Sequence, residues 1–217
     1  NRPFCYKGRP YMRVESATTT MPQTAYNELL LQRDGNRYRW ELLENRNLTL
    51  QHLDTNEVLK TVRLGIECGR LPEDTGTDVP AILGKFGLLK DGVLNNAAAV
   101  LFGKHEDMEY PQCLLRLARF KGTDKTVFMD SQRIQGNFFQ LLNAAMAFIF
   151  KHLSLSGTTD TLEREEHLTI PYQAIREGVL NSLTHRSYKE AGGSVGIAIY
   201  DDGVGIENPG TFSPDWD

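Results

Sequence analysis

Apolar and polar positions alternate along some segments of this chain and recur at helical spacing along others. Alternation over residues 11–15 and 194–200 predicts two half-buried strands, because successive side chains of a strand point to opposite faces. More continuous apolar runs at 112–120 and 126–129 predict two further strands, joined by a turn that contains Asp124. Strands are therefore expected at the beginning, in the middle and at the end of the chain.

Helices are predicted between these strands from apolar spacing and from capping residues. The longest apolar stretch predicts a helix over 138–153 that lies between two layers, since almost all of its positions are apolar. Asp54 and Glu57 form a capping-box pattern, and Asp78 precedes a helix with Pro80 in its first turn. The other predicted helices cover about 22–33 (ending at Asp34-Gly35), 54–69, a segment that begins near 78, 95–102 and 171–188.

These elements group into three regions. Residues 1–46 are predicted to form a strand followed by a helix. Residues 47–170 are predicted to form a separate block of helices and strands that ends in a polar loop over 154–166 and an extended segment. Residues 171–217 are predicted to form a helix and then a hairpin whose second strand is 204–207. The predicted fold class is therefore α/β, of the α+β kind, with a central mixed sheet and helices packed against it.

The composition narrows the class of protein. Hydrophobic residues at 40% and charged residues at 24% are typical of a soluble globular protein. The apolar run that ends at Lys151 is too short to span a membrane, and the N-terminus does not have the pattern of a signal peptide. Three cysteines without a Cys-x-x-Cys pair fit a reducing compartment, so a cytoplasmic protein is expected. Because the chain begins with Asn1, we expect it to be part of a longer protein.

The charge is distributed unevenly along the chain. The formal net charge is -4, and residues 171–217 account for all of it with three basic and seven acidic side chains. Residues 1–46 hold eight basic and five acidic side chains, with aromatic residues among the arginines. This mixture fits either a nucleic-acid surface with stacking partners or the edge of a small sheet with ordinary amphipathic aromatics. An acidic chain is a poor candidate for wholesale electrostatic coating of DNA.

The helix predicted at 171–188 carries the residues with the most specific chemistry. Glu177, Asn181 and His185 recur at positions i, i+4 and i+8 and so form one polar stripe. An Asn oxygen is a hard neutral ligand that suits Mg²⁺ bridging phosphate oxygens, and a Glu can orient or deprotonate a water. The alternative interpretation of the same spacing is a pair of exposed residues on a helix surface without a ligand.

The order of these motifs resembles a known ATP-binding module. A Glu-x-x-x-Asn helix followed by a strand that ends near Asp-x-Gly-x-Gly resembles the GHKL (Bergerat-fold) module of gyrase, Hsp90, MutL and sensor histidine kinases. More specifically, Glu177-Gly-Val-Leu-Asn-Ser-Leu-Thr-His-Arg-Ser-Tyr188 followed by Glu207-Asn-Pro-Gly210 is similar to the divergent GHKL domain of RecG-like transcriptional regulators. Segments 95–103 and 119–122 resemble that family's middle region, and residues 1–46 resemble the tail of its Schlafen-type AlbA-like domain, a nucleic-acid-binding module. The resemblance implies that a GHKL-like α/β sandwich begins at residue 171.

The resemblance also implies roles for the helix residues. Asn181 would be the Mg²⁺ ligand, and Glu177 would be the catalytic carboxylate of an ATPase. His185, on the same stripe, is counted with the cofactor-binding residues, as one that packs behind the site rather than as a base. Ser187 stands where the RecG-like family usually has an Asp, so no role is carried over to that position.

Adenine recognition is implied at the hairpin, at one of two places. Asp201, Gly203 and Gly205 match the Asp-x-Gly-x-Gly pattern, in which the Asp binds adenine. In the RecG-like subgroup the second hairpin strand ends at Asn-Pro-Gly, which makes Asn208 the alternative to Asp201. The Gly-rich lid that closes the ATP pocket of the superfamily has no counterpart before Asp217, so sequence outside these residues would complete the site.

Two functions follow as hypotheses. In the first, the protein is a DNA-binding transcriptional regulator whose divergent GHKL-like module binds ATP with Mg²⁺ and has at most weak ATPase activity. In the second, it is a non-enzymatic nucleic-acid-binding scaffold with a degenerate nucleotide pocket. A helicase motor is not expected, because the chain contains no Gly-x-x-x-x-Gly-Lys-[Ser/Thr] phosphate loop. The expected partners are nucleic acid and ATP but no membrane, and homo-oligomerisation is left open.

Overall fold

Capping residues and apolar spacing place most elements where the sequence predicts them. A computed structural model of the chain describes residues 4–14, 17–33, 39–104, 110–153, 155–158, 165–168, 170–190 and 192–209. These residues belong to two compact units, 1–43 and 44–217. The predicted limit after residue 46 falls close to this division.

The first unit is a small sheet followed by a helix. Strands β1 (Phe4–Tyr6), β2 (Arg9–Val14) and β3 (Ala17–Thr20) pair antiparallel in that order. Helix α1 (Gln23–Arg33) follows, and a 3-10 turn covers Trp40–Leu42. The predicted strand and helix are confirmed, whereas the predicted helix end at Asp34-Gly35 lies outside the described residues.

The second unit begins with a helical layer. It contains α2 (Thr55–Glu67), α3 (Val79–Lys85), the short hairpin of β4 (Leu89–Lys90) and β5 (Val93–Leu94), and α4 (Asn96–Phe102). Asp54 caps α2 by accepting hydrogen bonds from the backbone N–H groups of Asn56 and Glu57. In a capping box, the backbone N–H of Asp54 would donate to the side chain of Glu57. Here it donates instead to the carbonyl of Phe102, the last residue of α4, at 2.7 Å.

The rest of the second unit is a mixed sheet with two helices on one face. Its strands are β6 (Leu114–Lys121), β7 (Val127–Gln135), β10 (Val195–Ile199) and β11 (Val204–Glu207), in the order β11-β10-β6-β7. The pairing of β10 with β6 is parallel, and the other two pairings are antiparallel. The helices are α5 (Phe138–His152) and α6 (Tyr172–Thr184), and a separate hairpin joins β8 (Leu155–Thr158) to β9 (Glu165–Leu168). The predicted α+β class with a mixed sheet is confirmed.

The sheet joins the middle and the end of the chain. Strand β6 lies between β7 and β10. Strands from before and after the predicted limit at residues 170 and 171 therefore belong to one sheet, and their side chains share one core. That core is formed by the helix-facing side of the sheet and the apolar stripes of α5 and α6, and it includes Leu115, Leu117, Ile149, Val179 and Ile197. A second core lies among α2, α3 and α4.

Asn137 connects the two cores at the start of α5. Its side-chain oxygen accepts a hydrogen bond from the backbone N–H of Gln140, and its nitrogen donates to the carbonyl of Gly103 just after α4, both at 3.0 Å. The side chain is 1% exposed. This buried cap fixes where α5 begins. Its side chain provides hydrogen-bond partners both for a free backbone N–H in the first turn of α5 and for a backbone carbonyl at the end of α4.

Four predicted elements differ from the structure. The strand predicted at 126–129 extends to Gln135, and its second half is not predicted because residues 130–133 are all polar and show no alternation with apolar residues. The helix predicted to end near Tyr188 ends at Thr184. The predicted loop at 154–166 includes strand β8 and the start of β9, while residues 154 and 159–164 lie outside the described part. Helix α5 is not enclosed by two layers, because Asn143, Ala147 and Lys151 form an exposed stripe.

None of the described helices is long and apolar enough to cross a membrane.

Candidate functional site

Helix α6 positions the Glu177–Asn181 pair. Pro171 precedes the helix with a backbone φ of -58°, and Ile175, Val179 and Leu183 bury one face of the helix in the sheet core. Glu177 and Asn181 are exposed on another face, one turn apart. The Asn181 side-chain nitrogen donates to the Glu177 carboxylate at 3.1 Å, so the two predicted residues contact each other directly.

His185 lies at the end of α6, one helical turn after Asn181. Its backbone N–H donates to the carbonyl of Asn181 at 2.9 Å. Its ring is exposed. The side-chain contact within the stripe is therefore the one between Glu177 and Asn181.

Close packing against β11 sets the position of α6. A Cβ atom added at Gly178 would lie 3.1 Å from Cδ1 of Ile206, so the glycine permits the helix to approach the strand. After the helix, the backbone N–H of Ser187 donates to the carbonyl of Pro209 at 2.8 Å. These two contacts place the C-terminal end of α6 beside the end of β11, where Asn208 lies exposed.

Asp201 lies at the opposite end of the hairpin. Strand β11 spans four residues, so about 13 Å of strand separates the turn at Asp201 from Asn208. The Asp201 carboxylate accepts hydrogen bonds from the Arg119 guanidinium and from the backbone N–H of Gly122, the second at 2.7 Å. These bonds, with Arg119 the larger cause, lower the pKa of Asp201 below its ordinary value. The carboxylate is engaged in holding two loops together.

The glycines of the Asp-x-Gly-x-Gly pattern lie in and beside the hairpin turn. The carbonyl of Gly203 accepts the backbone N–H of Tyr200 at 2.8 Å and closes the turn. A Cβ atom on Gly205 would lie 3.7 Å from the Tyr200 ring. Neither glycine has a positive φ, so backbone conformation does not require glycine at either position. Of the two predicted adenine-binding positions, only Asn208 lies at the α6 end of the hairpin.

Arg186 is a buried anchor that sequence reasoning does not assign. It is 5% exposed, and its guanidinium donates to the carbonyl of Gln112 and, at 2.8 Å, to the carbonyl of Gly193. The Tyr188 ring lies 5.0 Å from the guanidinium, and burial lowers the pKa of Arg186 from its ordinary value. Arg186 therefore ties the end of α6 to the segments that precede β6 and β10. The His-Arg-Ser-Tyr sequence contains this residue, but its burial depends on contacts distant in sequence.

The donor set at α6 can be tested against the expected Mg²⁺. No group of three His, Cys, Asp or Glu side chains among the described residues could enclose a metal ion. The Asn181 nitrogen is the atom that contacts Glu177, which leaves the carboxamide oxygen on the other side of the group. Magnesium is usually held by one or two protein oxygens together with water and substrate phosphates. A single Asn oxygen therefore fits a magnesium ion that arrives with a nucleotide.

Comparison with known proteins defines the fold alone. No protein-family model matches the chain, and no curated protein matches its sequence. Among solved structures, the chain is similar to the crystal structure of the DIP2311 protein from Corynebacterium diphtheriae, with a TM-score of 0.63 and 15% sequence identity. The similarity covers 95% of this chain and 40% of that one, so the chain spans well under half the length of this similar protein.

Proposed function

We propose that this chain belongs to a cytoplasmic DNA-binding transcriptional regulator in which a divergent GHKL-like module binds Mg²⁺ and ATP. The observation that carries the proposal is the direct 3.1 Å contact between Asn181 and Glu177 on the exposed face of α6. The contact places a carboxamide that can bind a metal beside a carboxylate that can hold a water. The mixed sheet packed against α6 is compatible with the GHKL resemblance.

In this proposal the two side chains divide the chemistry. Asn181 contributes its carboxamide oxygen to Mg²⁺, which neutralises phosphate charge when it is bound. Glu177 holds a water and accepts its proton if hydrolysis occurs, while the Asn181 nitrogen fixes the carboxylate in place. Asn208, at the α6 end of the hairpin, is the residue we assign to the base, and Arg186 holds that end of the hairpin against α6 through Gly193.

The first unit supports the nucleic-acid part of the proposal. The β1–β2 hairpin turns through Lys7 and Gly8, both with positive φ, at 47° and 75°, as a two-residue turn between twisted strands requires. Tyr6 is 66% exposed, and the Lys7 ammonium lies 5.6 Å from the centre of its ring. An exposed ring beside a cation at a hairpin tip can contact a base and a phosphate together.

A scaffold without nucleotide is the alternative, and one observation favours it. Asp201, the residue that the broad GHKL pattern assigns to adenine, is already bound to Arg119 and Gly122. If Asn208 does not replace Asp201 in binding the base, the module would have lost its nucleotide and kept only the fold.

Calorimetry with Mg²⁺ and ATP on the full-length protein separates the two functions. We expect Asn181→Ala to weaken binding by about tenfold or more, whereas Glu177→Gln retains binding and loses about a hundredfold or more of any hydrolysis rate. Asn143→Ala, at an exposed Asn of α5, is the matched control and should bind as the wild type does. A wild-type protein that binds no ATP would overturn the proposal in favour of the scaffold.

A further inference from the structure

The face of the sheet that points away from α5 and α6 has an ordered set of side chains. The buried residues of β6 and β10, such as Leu115, Leu117 and Ile197, point towards the helices. Alternate residues therefore point to the other face, which we call the open sheet face. Paired residues of neighbouring strands point to the same side, so the register assigns the members of this face without ambiguity.

Two arginines lie directly opposite each other on the open sheet face. Arg116 of β6 pairs in register with Arg133 of β7, and both side chains are exposed. Side chains directly opposite on antiparallel strands have Cβ atoms about 5 Å apart, and like charges at this spacing are destabilising. Neither arginine makes an ion pair within the part of the chain that the structure describes. An anion between them would remove the repulsion.

Small residues form the floor beside the arginines. Ala118 of β6 pairs with Ser131 of β7 on one side and with Ala198 of β10 on the other. Gly196 extends this floor next to Arg116. Because these side chains are small, a shallow cavity of about 400 Å³ lies above the strands at this point. A flat group can therefore approach the backbone of the sheet closely.

Aromatic rings form the other wall of the cavity. Phe120 contacts Phe128 at 4.5 Å between ring centres and stacks on Tyr200 at 5.5 Å. A bulge in the β6–β7 ladder lies between Arg119 and Phe120, and it brings Phe128 opposite Phe120 on the open sheet face. Phe128 is 63% exposed, so its outer ring surface is available for stacking.

The rim adds one ion pair. Lys125, in the turn between β6 and β7, reaches Glu207 at the end of β11, and both line the cavity. The cavity thus carries three cationic side chains and one carboxylate, on a chain whose net charge is -4. The local charge is positive where the overall charge is negative, which selects an anionic occupant.

We propose that the open sheet face binds single-stranded nucleic acid, with phosphates between Arg116 and Arg133 and a base stacked on Phe128. Proteins that bind single strands combine a positively charged surface for the backbone with aromatic side chains on which bases stack, and this face has both. An acidic peptide would complement the arginines but would have no flat group for the aromatic wall. This surface lies on the opposite side of the sheet from α6, and the proposal is independent of ATP binding there.

Fluorescence anisotropy with a labelled oligothymidylate of about 12 nucleotides tests the proposal. We expect Arg116→Ala/Arg133→Ala to weaken binding about tenfold or more at low salt and to flatten the dependence of log K on log salt by about 1.4, or about 0.7 for each contact. Phe128→Ala should weaken binding about tenfold with an unchanged salt slope, because it removes a stacking surface and no charge. All three positions are exposed, so the variants should fold, which circular dichroism and thermal unfolding verify.

Matched controls separate this site from the others. Arg63→Ala, at an exposed arginine of α2, should leave affinity unchanged, and Arg116→Lys/Arg133→Lys should retain most of it. Loss of binding through Lys7→Ala alone, with no effect of the double Arg variant, would place nucleic acid on the first unit only and overturn the proposal. Equal displacement by a polyglutamate peptide, with Phe128→Ala without effect, would also overturn it and identify an acidic peptide as the occupant. Asn181→Ala should bind the oligonucleotide normally, whatever its effect on ATP.

Discussion

Asp201 and Gly122 hold each other through a reciprocal pair of hydrogen bonds. The Gly122 backbone N–H donates to the Asp201 carboxylate at 2.7 Å, and the Asp201 backbone N–H donates to the Gly122 carbonyl at 2.9 Å. Arg119 adds an ion pair to the same carboxylate. The pair joins the end of β6 to the end of β10, two parallel neighbours far apart in sequence. In this fold Asp201 therefore stabilises the sheet, and binding of adenine there would require these contacts to break.

The first prediction concerns the pH dependence of this contact. The pKa of Asp201 lies below its ordinary 3.8 because Arg119 and Gly122 donate to the ionised form. A carboxylate with a lowered pKa in the folded state contributes stability above the ordinary pKa, and this contribution is lost as pH falls through the lowered value. Asp201→Asn should therefore be less stable than wild type at neutral pH, and the difference should shrink as pH falls below about 4.

Urea unfolding at a series of pH values measures that difference. Asp124 and Asp130, whose pKa values are also lowered, are present in both proteins, so their contributions cancel. Asp202→Asn changes an exposed neighbour and is the matched control. A difference between wild type and Asp201→Asn that stays constant with pH would show that the carboxylate charge contributes nothing.

The second prediction concerns Arg186, which donates to two backbone carbonyls distant in sequence. Arg186→Ala leaves the carbonyls of Gln112 and Gly193 without their donors, and we expect a loss of about 3 kcal/mol in the free energy of unfolding. Arg186→Lys should rescue little of this, because an ammonium lacks the planar fork that reaches both oxygens. Chemical denaturation measures the loss. Arg176→Ala, at an exposed arginine of α6, should change stability by less than about 0.5 kcal/mol. Equal effects of the two alanine variants would contradict the anchoring role.

Local signals in the sequence predict most elements, whereas the relations between distant elements depend on the fold. The starts of α5 and α6 are predictable because Asn137 and Pro171 act on adjacent backbone. The parallel pairing of β6 with β10 is not, since 79 residues separate Gly122 from Asp201 and periodicity says nothing about which strands are neighbours. The open sheet face could not be predicted from the sequence for the same reason, because its residues come together only when these strands become neighbours.

The candidate site was predictable to the same extent. The i, i+4 spacing of Glu177 and Asn181 is a property of any helix, and their contact follows from it. The separation of Asp201 from Asn208, by contrast, depends on which end of the hairpin faces α6. That choice is made by Gly178, Ile206 and the bond from Ser187 to Pro209, none of which has a sequence pattern of its own.

The third prediction concerns the cysteines. Cys5 and Cys68 are exposed, whereas Cys113 is 1% exposed and burial raises the pKa of its thiol to about 12. Because the thiolate is the reactive form, Cys113 should remain inert in the folded protein at pH values near about 8. A thiol-reactive chromogenic disulfide should modify Cys5 and Cys68 in the native state, and Cys113 only after denaturation. Cys113→Ala should leave the native reaction unchanged and remove one thiol from the denatured count. Rapid native reaction of all three cysteines would contradict the structure.

The fourth prediction uses adjacent glycines to test how the end of the hairpin is held against α6. A Cβ atom on Gly193 would lie 2.6 Å from Cβ and 2.9 Å from Cγ of Pro209, and a proline ring has little freedom to move away. A Cβ atom on Gly192 would meet nothing within 4 Å. Gly193→Ala should therefore destabilise the protein by about 1–3 kcal/mol, the usual cost of overpacking, whereas Gly192→Ala should be nearly neutral. Thermal and chemical unfolding of the two variants measure this contrast.

If Asn208 contacts the base, Gly193→Ala should also weaken ATP binding under conditions where the variant remains folded, because displacement of Pro209 moves the adjacent Asn208. Equal stability of the two variants would show that the contact between Gly193 and Pro209 does not hold the hairpin in place.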